Sequence, residues 1–179
     1  MNSIKLVGHP LALVAVPILV VGITAGVRAG DDEDERDAPF NIENTAYREE
    51  CGGCHVPYPP ELLSRESWAD IVSNLNDHFG SNANIDSDSA RKISEYLQVN
   101  STTRRTDDEN GRPLRRISDT AWFKQAHRPG HDGLTPGIFQ SAAVKSAANC
   151  EACHRNAAAG DYNENNLRIP APDDSPSGR

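Results

Sequence analysis

Methionine is all but absent: Met1 is the single one in 179 residues. A mature chain that loses its leader has no thioether side chain to offer a metal. Apolar residues are sparse beyond the first 29 positions, too few to build a large core from side chains alone. Basic residues are also in deficit, with 18 Lys and Arg against 26 Asp and Glu, which gives a formal net charge of −8 at pH 7. Loss of Lys5 and Arg28 with a leader makes the balance more negative still. That sign argues for a soluble protein, against nucleic acid as a partner, and for basic docking faces on the proteins it meets. Cysteine is scarce as well: there are four.

All four fall in two copies of one pattern, Cys51-Gly52-Gly53-Cys54-His55 and Cys150-Glu151-Ala152-Cys153-His154. This is the attachment signature of c-type haem. Two thiols three positions apart on one helical turn reach the two vinyl groups of a porphyrin, and the adjoining His lies under the iron as its proximal ligand. Zinc fits less well. The stretch from His55 to Asn149 is far longer than the spacer of a zinc ribbon, and a zinc site has no need of His after both pairs. Paired disulfides fail too, because a bond across Cys-x-x-Cys is usually a redox-active dithiol rather than a structural staple. The reading is two covalently bound c-type haems, held through Cys51, Cys54, Cys150 and Cys153, with His55 and His154 as proximal ligands. Each haem is a large apolar body and so becomes part of the core; the haem-free chain is expected to fold poorly.

Residues 1–29 read as a secretory signal. Lys5 gives a positive start, Leu11 to Val21 is an apolar run broken by Pro17, and Val27-Arg28-Ala29 offers small residues for cleavage after Ala29. The run is short for a membrane span, and Asp31-Asp32-Glu33-Asp34-Glu35 follows at once. An uncleaved anchor is the alternative. Either way the globular part lies outside the cytoplasm, and a bacterial periplasm is the expected location.

The histidine inventory limits the iron chemistry. Of six His, His9 leaves with the signal, and His55 and His154 are proximal, so His78, His127 and His131 remain for two distal positions. Bis-histidine coordination at both irons is the simplest solution. Lys92, Lys124 and Lys145 are less common donors, and an open iron is a further option.

Local pattern divides the chain. Residues 30–43 form an acidic tail without apolar periodicity, expected to be disordered. A helix from about Asn44 into Cys54 carries Tyr47, Cys51 and Cys54 on one side, and Val56-Pro57-Tyr58-Pro59-Pro60 ends it. Ser64 starts a second helix, on which Trp68, Ile71, Leu75 and His78 make one stripe that Gly80 terminates. A third, about Ser87 to Asn100, packs through Ile93 and Leu97. Ser101 to Arg116 is a loop or linker. Its arginines, Arg104, Arg105, Arg112, Arg115 and Arg116, are either solvated or paired with haem propionates. Ser118 to about His127 is helical, with Trp122, Phe123, Ala126 and His127 inward. Arg128-Pro129-Gly130 breaks it and leaves His131 in a Gly/Pro-rich loop. A final helix, from about Pro136 or Ile138 to Cys153, delivers the second haem motif. The expected organisation is a first haem lobe over 44–103, a second over 104–162, and a flexible tail over 163–179.

Cys51 to Pro60, Ser67-Trp68, Asp77-His78-Phe79-Gly80, Ile93 to Leu97, Trp122-Phe123 with His127-Arg128, and Asn149 to His154 together resemble the bacterial dihaem cytochrome c family, over roughly residues 44 to 162. The haem motifs are generic; the Asp-His-Phe-Gly element between them is more specific. The resemblance implies an all-α protein with a class I cytochrome c-like first lobe and a second small helical haem-binding lobe. It also implies bis-His haems, with His78 and His127 at the distal positions. Its implied role is to pass electrons from a membrane cytochrome b donor to a monohaem cytochrome acceptor. Local pairing gives His55 with His78 and His154 with His127. A crossed pairing, and His131 in place of His127, are the alternatives. The expectation is an electron carrier that is monomeric and not an enzyme. The rivals are a dihaem peroxidase or small nitrogen-oxide reductase, or a gas or redox sensor with one displaceable distal ligand.

Overall fold

Four capped helices carry the regular structure. In the computed structural model residues 39–171 are described, all within one compact unit, so the signal call over 1–29, the first part of the acidic tail and the last part of the C-terminal tail lie outside the described residues. Helix α1 spans Thr45–Gly52 and starts where the Asn44 side chain accepts from the Tyr47 amide. Helix α2, Arg65–Ser73, is capped by the Ser64 hydroxyl. Helix α3, Ser87–Asn100, is capped by Asp86, which accepts from the amides of both Asp88 and Ser89. Helix α4, Ala121–Ala126, is capped by Thr120. Each cap satisfies amide donors that an initial helical turn leaves without partners. Short 3-10 turns join the helices, and no strand occurs among the described residues, only four isolated bridges. The all-α class expected from the sequence is the class observed.

The core lies among α1, α2 and α3. Tyr47, Leu63, Trp68, Ile71, Ile93 and Leu97 pack together and are almost wholly buried. Removing each such side chain from water is worth about 1.5–3 kcal/mol, so this cluster is the main side-chain contribution to the first half. Its polar atoms are satisfied: Trp68 Nε1 donates to the Pro60 carbonyl at 2.7 Å, and the Tyr47 hydroxyl donates to the Tyr58 carbonyl at 2.8 Å. A smaller cluster, Leu134, Ile138 and Val144, supports the second half, with Phe139, Ala152 and Ile169 against it.

Three expectations are corrected. The second helix does not run to His78; α2 stops at Ser73. The Asn74 side chain donates to both the carbonyl and the carboxylate of Asp70, and its own backbone leaves the helical region at φ −121°. Local bonding of this kind competes with the helical ladder. A 3-10 turn over Leu75–Asp77 follows, then His78, with Phe79 and Gly80 both at positive φ. The His78 amide and carbonyl exchange hydrogen bonds with Ser81, so the ring is carried by a tight turn rather than a helical stripe.

Nor does one helix run from Ile138 to Cys153. The segment holds two 3-10 turns, Ile138–Gln140 and Cys150–Ala152, separated by irregular chain. Lys145 sits at φ +67°, which an α-helix excludes for an L-residue. The Ser141 hydroxyl accepts from the Val144 amide, and Asn149 Nδ2 donates to the Val144 carbonyl, so side chains take over bonds that a helix would make. Val144 is thereby turned fully inward. The alanines here favour helix in isolation, and burial overrides them.

Finally, the tail expected to be flexible over 163–179 folds back as far as it is described. Glu164–Asn166 form a 3-10 turn, the Arg168 amide donates to the Cys153 carbonyl, and Leu167 bridges to His154. Ile169 packs against the Leu134, Ile138 and Val144 cluster, and Leu167 lines the apolar cavity of the second half.

Candidate functional site: two facing imidazole pairs

The first pair forms where α1 ends. Cys51 lies in its last turn and packs against the core cluster, while Cys54 is exposed just beyond it. The backbone then extends through Val56 and Pro57, and His55 turns its Nδ1 to the Val56 carbonyl at 2.7 Å. A carbonyl only accepts, so Nδ1 carries the proton and Nε2 keeps its lone pair. That is the tautomer and orientation a metal ligand needs. Tyr58 stacks on the His55 ring at 4.7 Å and 14°. Across from it stands His78, its ring centre 6.3 Å from that of His55 and inclined by 20°. The edge of Phe79 closes on His78 at 4.8 Å.

The second pair is built the same way from different elements. His127 follows the last residue of α4, stacks on Phe123 at 3.9 Å and 12°, and donates from Nδ1 to the Phe123 carbonyl at 3.0 Å. Its Nε2 is therefore also free. His154, delivered by the Cys150–Ala152 turn, lies 6.2 Å from it. Both rings, with Cys150 and Cys153, line an apolar cavity walled by Trp122, Phe123, Leu134, Phe139, Val144 and Tyr162. Phe40 and Leu62, from the first half of the chain, complete the wall.

These arrangements fit haem on four counts. A ring nitrogen binds a transition metal at about 2 Å and lies roughly 1 Å from its ring centre, so two imidazoles on one iron stand about 6 Å apart, the separation of both pairs here. The four thiols are not joined in disulfides. His78 Nδ1, His154 Nδ1 and the Tyr162 hydroxyl are buried without hydrogen-bond partners, so polar atoms are left over beside the two sites. Among the described residues no three His, Cys, Asp or Glu side chains converge as a metal-ion site, so the donors are grouped in pairs and not as a zinc tetrahedron.

Burial favours the neutral ring at His78, His127 and His154. Burial is the leading cause that holds His78, His127 and His154 below the ordinary histidine range, and for His78 the neighbouring His55, Arg115 and Arg116 add to it. Burial also pushes the Cys51 and Cys150 thiols up to about 11. His131 is not brought into either pair; its Nδ1 meets the Asp132 carboxylate at 2.6 Å. Of the alternative donors, Lys92 pairs with Asp88, while Lys124 and Lys145 are exposed.

The linker arginines divide. Arg105 and Arg112 pair with Asp107 and Asp108. Arg115 and Arg116 instead lie over the Phe79 ring, at 5.4 and 4.2 Å, and Arg115 also reaches Asp70 at 3.4 Å. Sequence reasoning missed Tyr58, Phe139 and Tyr162 at the sites. Tyr58 sat in a run taken only as a helix stop, and the other two lie in segments whose return to the haem motifs no periodicity signals.

An all-helical frame that carries two Cys-x-x-Cys-His motifs, each with a second imidazole facing its His, defines a c-type cytochrome with two haem sites. The family model for dihaem cytochrome c matches residues 47–162, and the chain belongs to that family. Among solved structures it is similar to a dihaem cytochrome c from Rhodobacter sphaeroides, at 32% identity and a TM-score of 0.59, covering 70% of this chain and 100% of that one. A dihaem cytochrome c from Shewanella baltica is similar at 31% identity and a TM-score of 0.59, covering 72% of this chain and 94% of that one. Comparison with curated proteins gave no match. Two covalently bound c-type haems follow from family membership. Proteins of this family are in general electron-transfer proteins with redox partners, and bacterial c-type cytochromes are typically exported.

Proposed function

We propose that this protein carries single electrons between redox partners in the periplasm through two low-spin bis-His haems. In this reading His55 and His78 ligate the first iron, and His154 and His127 the second. Each lobe, 44–103 and 104–162, supplies both ligands to its own haem. Cys51, Cys54, Cys150 and Cys153 hold the porphyrins as thioethers. The observation that carries it is the pair of ring separations, 6.3 and 6.2 Å, each spanning one motif His and one distal His of the same half. Bound there, haem supplies a one-electron couple. The chain's own contribution is to fix both axial nitrogens. His55 and His127 are locked by backbone carbonyls and by aromatic stacking, which leaves little to rearrange when charge changes. With both positions taken, there is no open iron for substrate, so the protein acts as a carrier and not as an enzyme. The acidic surface suits basic partner faces, and the family resemblance suggests a membrane cytochrome b as donor and a monohaem cytochrome as acceptor.

The test is low-temperature electron paramagnetic resonance of the oxidised holoprotein, with carbon monoxide added to the reduced form. Two low-spin signals and indifference to carbon monoxide are expected. A high-spin signal, or rapid carbon monoxide binding at one haem, would replace the carrier reading with catalysis or sensing.

A further inference from the structure

One side chain reaches from the first haem motif to the second. Tyr58 lies between Pro57 and Pro59, whose rings restrict the local backbone. Its carbonyl accepts the buried Tyr47 hydroxyl at 2.8 Å, which anchors it to the core. Its ring stacks on the His55 imidazole at 4.7 Å. Its hydroxyl donates to the Ala148 carbonyl at 2.7 Å, 90 residues further along the chain. That same carbonyl oxygen is 3.8 Å from Cys150 Sγ, an atom that carries the second porphyrin. The path from axial ligand to thioether sulfur is thus one ring stack, one hydrogen bond and one close contact.

We propose that Tyr58 is the positioning residue that couples the two haem sites electronically, a role that rests on the two-haem bis-His reading. One electron leaves the reduced site and arrives at the oxidised one; no bond forms or breaks, no proton moves, and Tyr58 is neither oxidised nor reduced. The phenol stays neutral throughout, since burial holds its pKa well above the ordinary tyrosine value. The stack on His55 and the bond to Ala148 are separable, which makes the proposal testable by two substitutions. Tyr58→Phe retains the ring and loses only the hydrogen bond. Tyr58→Leu loses both.

The experiment is photoreduction of the oxidised holoprotein with less than one electron per molecule, following redistribution between the haems in their visible bands. Paramagnetic resonance and the two reduction potentials are measured on the same samples. Tyr58→Phe is expected to slow redistribution severalfold with low-spin signals and potentials unchanged, and Tyr58→Leu to slow it further. Redistribution in Tyr58→Phe as fast as in the parent overturns the proposal. So does a slowing that appears only together with altered low-spin signals, since Tyr58 would then merely orient His55. Failure of the bis-His reading is seen separately, as a high-spin signal in the unsubstituted protein.

Discussion

Gly160→Ala places the strongest single demand on the architecture around the second site. Gly160 sits at φ +75°, and a Cβ built there would overlap the Phe40 carbonyl oxygen and come within 3.1 Å of the carbonyl carbon. Three contributions add. A left-handed backbone costs an L-residue about 1–2 kcal/mol. The overlap forces residues 39–42 away and breaks the bond from the Phe40 amide to the Gly160 carbonyl, worth about 1 kcal/mol. The edge-on pair of Phe40 and Tyr162, at 5.8 Å, separates with it, a further ~1 kcal/mol. The segment relieves the clash by detaching, which caps the total at about 3–4 kcal/mol rather than the much larger cost of a rigid overlap. Gly130→Ala is the control, because Gly130 has φ +86° with nothing within 4 Å of its would-be Cβ. It should cost only the backbone share, about 1–2 kcal/mol. Thermal melts of the holoproteins, by far-ultraviolet dichroism and in the haem bands, read the difference. At about 2–4 °C per kcal/mol for a chain of this size, Gly160→Ala should fall by roughly 10 °C and Gly130→Ala by roughly 4 °C. Equal falls would refute the reasoning, since the Phe40 contact would then contribute nothing.

Four further outcomes follow from the sites. His78→Ala should convert the haem of Cys51 and Cys54 to a high-spin form that binds carbon monoxide and leave the other low-spin; loss of ligation at the Cys150 haem would mean crossed pairing. Arg116→Gln should lower the first haem's potential. Linked through Phe79, the guanidinium lies at most about 12 Å from the midpoint of the His55 and His78 rings, and at an effective dielectric near 40 its loss shifts the reduction equilibrium by about threefold, on the order of 30 mV; a rise in potential contradicts this. Thr106→Val should cost about 1–3 kcal/mol in urea denaturation, because the Thr106 hydroxyl accepts the Ser64 amide at 2.9 Å and bonds Ser67 Oγ at 2.8 Å inside the fold. On pH, the lowered values of His78, His127 and His154 mean that the fold favours neutral rings: their contribution is complete above about 6.5 and is lost as pH falls through the lowered values. Distal ligation monitored optically should therefore fail on acidification, and failure on the alkaline side first would count against it.

Legibility in the sequence followed the range of the interactions. The presence of two covalently bound haems was readable, because each Cys-x-x-Cys-His motif is five consecutive residues whose reactivity is local. Helix α3 was readable over Ser87–Asn100, since Ile93 and Leu97 mark its buried face. The starts of α1 and α2 were equally plain from Asn44 and Ser64. Errors fell where one side chain redirects the backbone. Asn74 turned the stripe through His78 into a loop, and the Lys145 turn, with the Ser141 and Asn149 side chains, replaced an alanine-rich helix.

Ligand numbers and ligand geometry divide along the same line. Counting His and finding Met1 alone was enough to point to imidazoles as the axial donors on offer, because composition limits which donors exist. Composition is blind to which imidazoles meet. The facing of His55 by His78 and of His154 by His127, the diversion of His131 to Asp132, and the reach of Tyr58 to Ala148 join residues 23, 27, 1 and 90 positions apart. All but the third are set by how helices and turns pack around buried apolar surface, and that is decided only when the whole chain has folded.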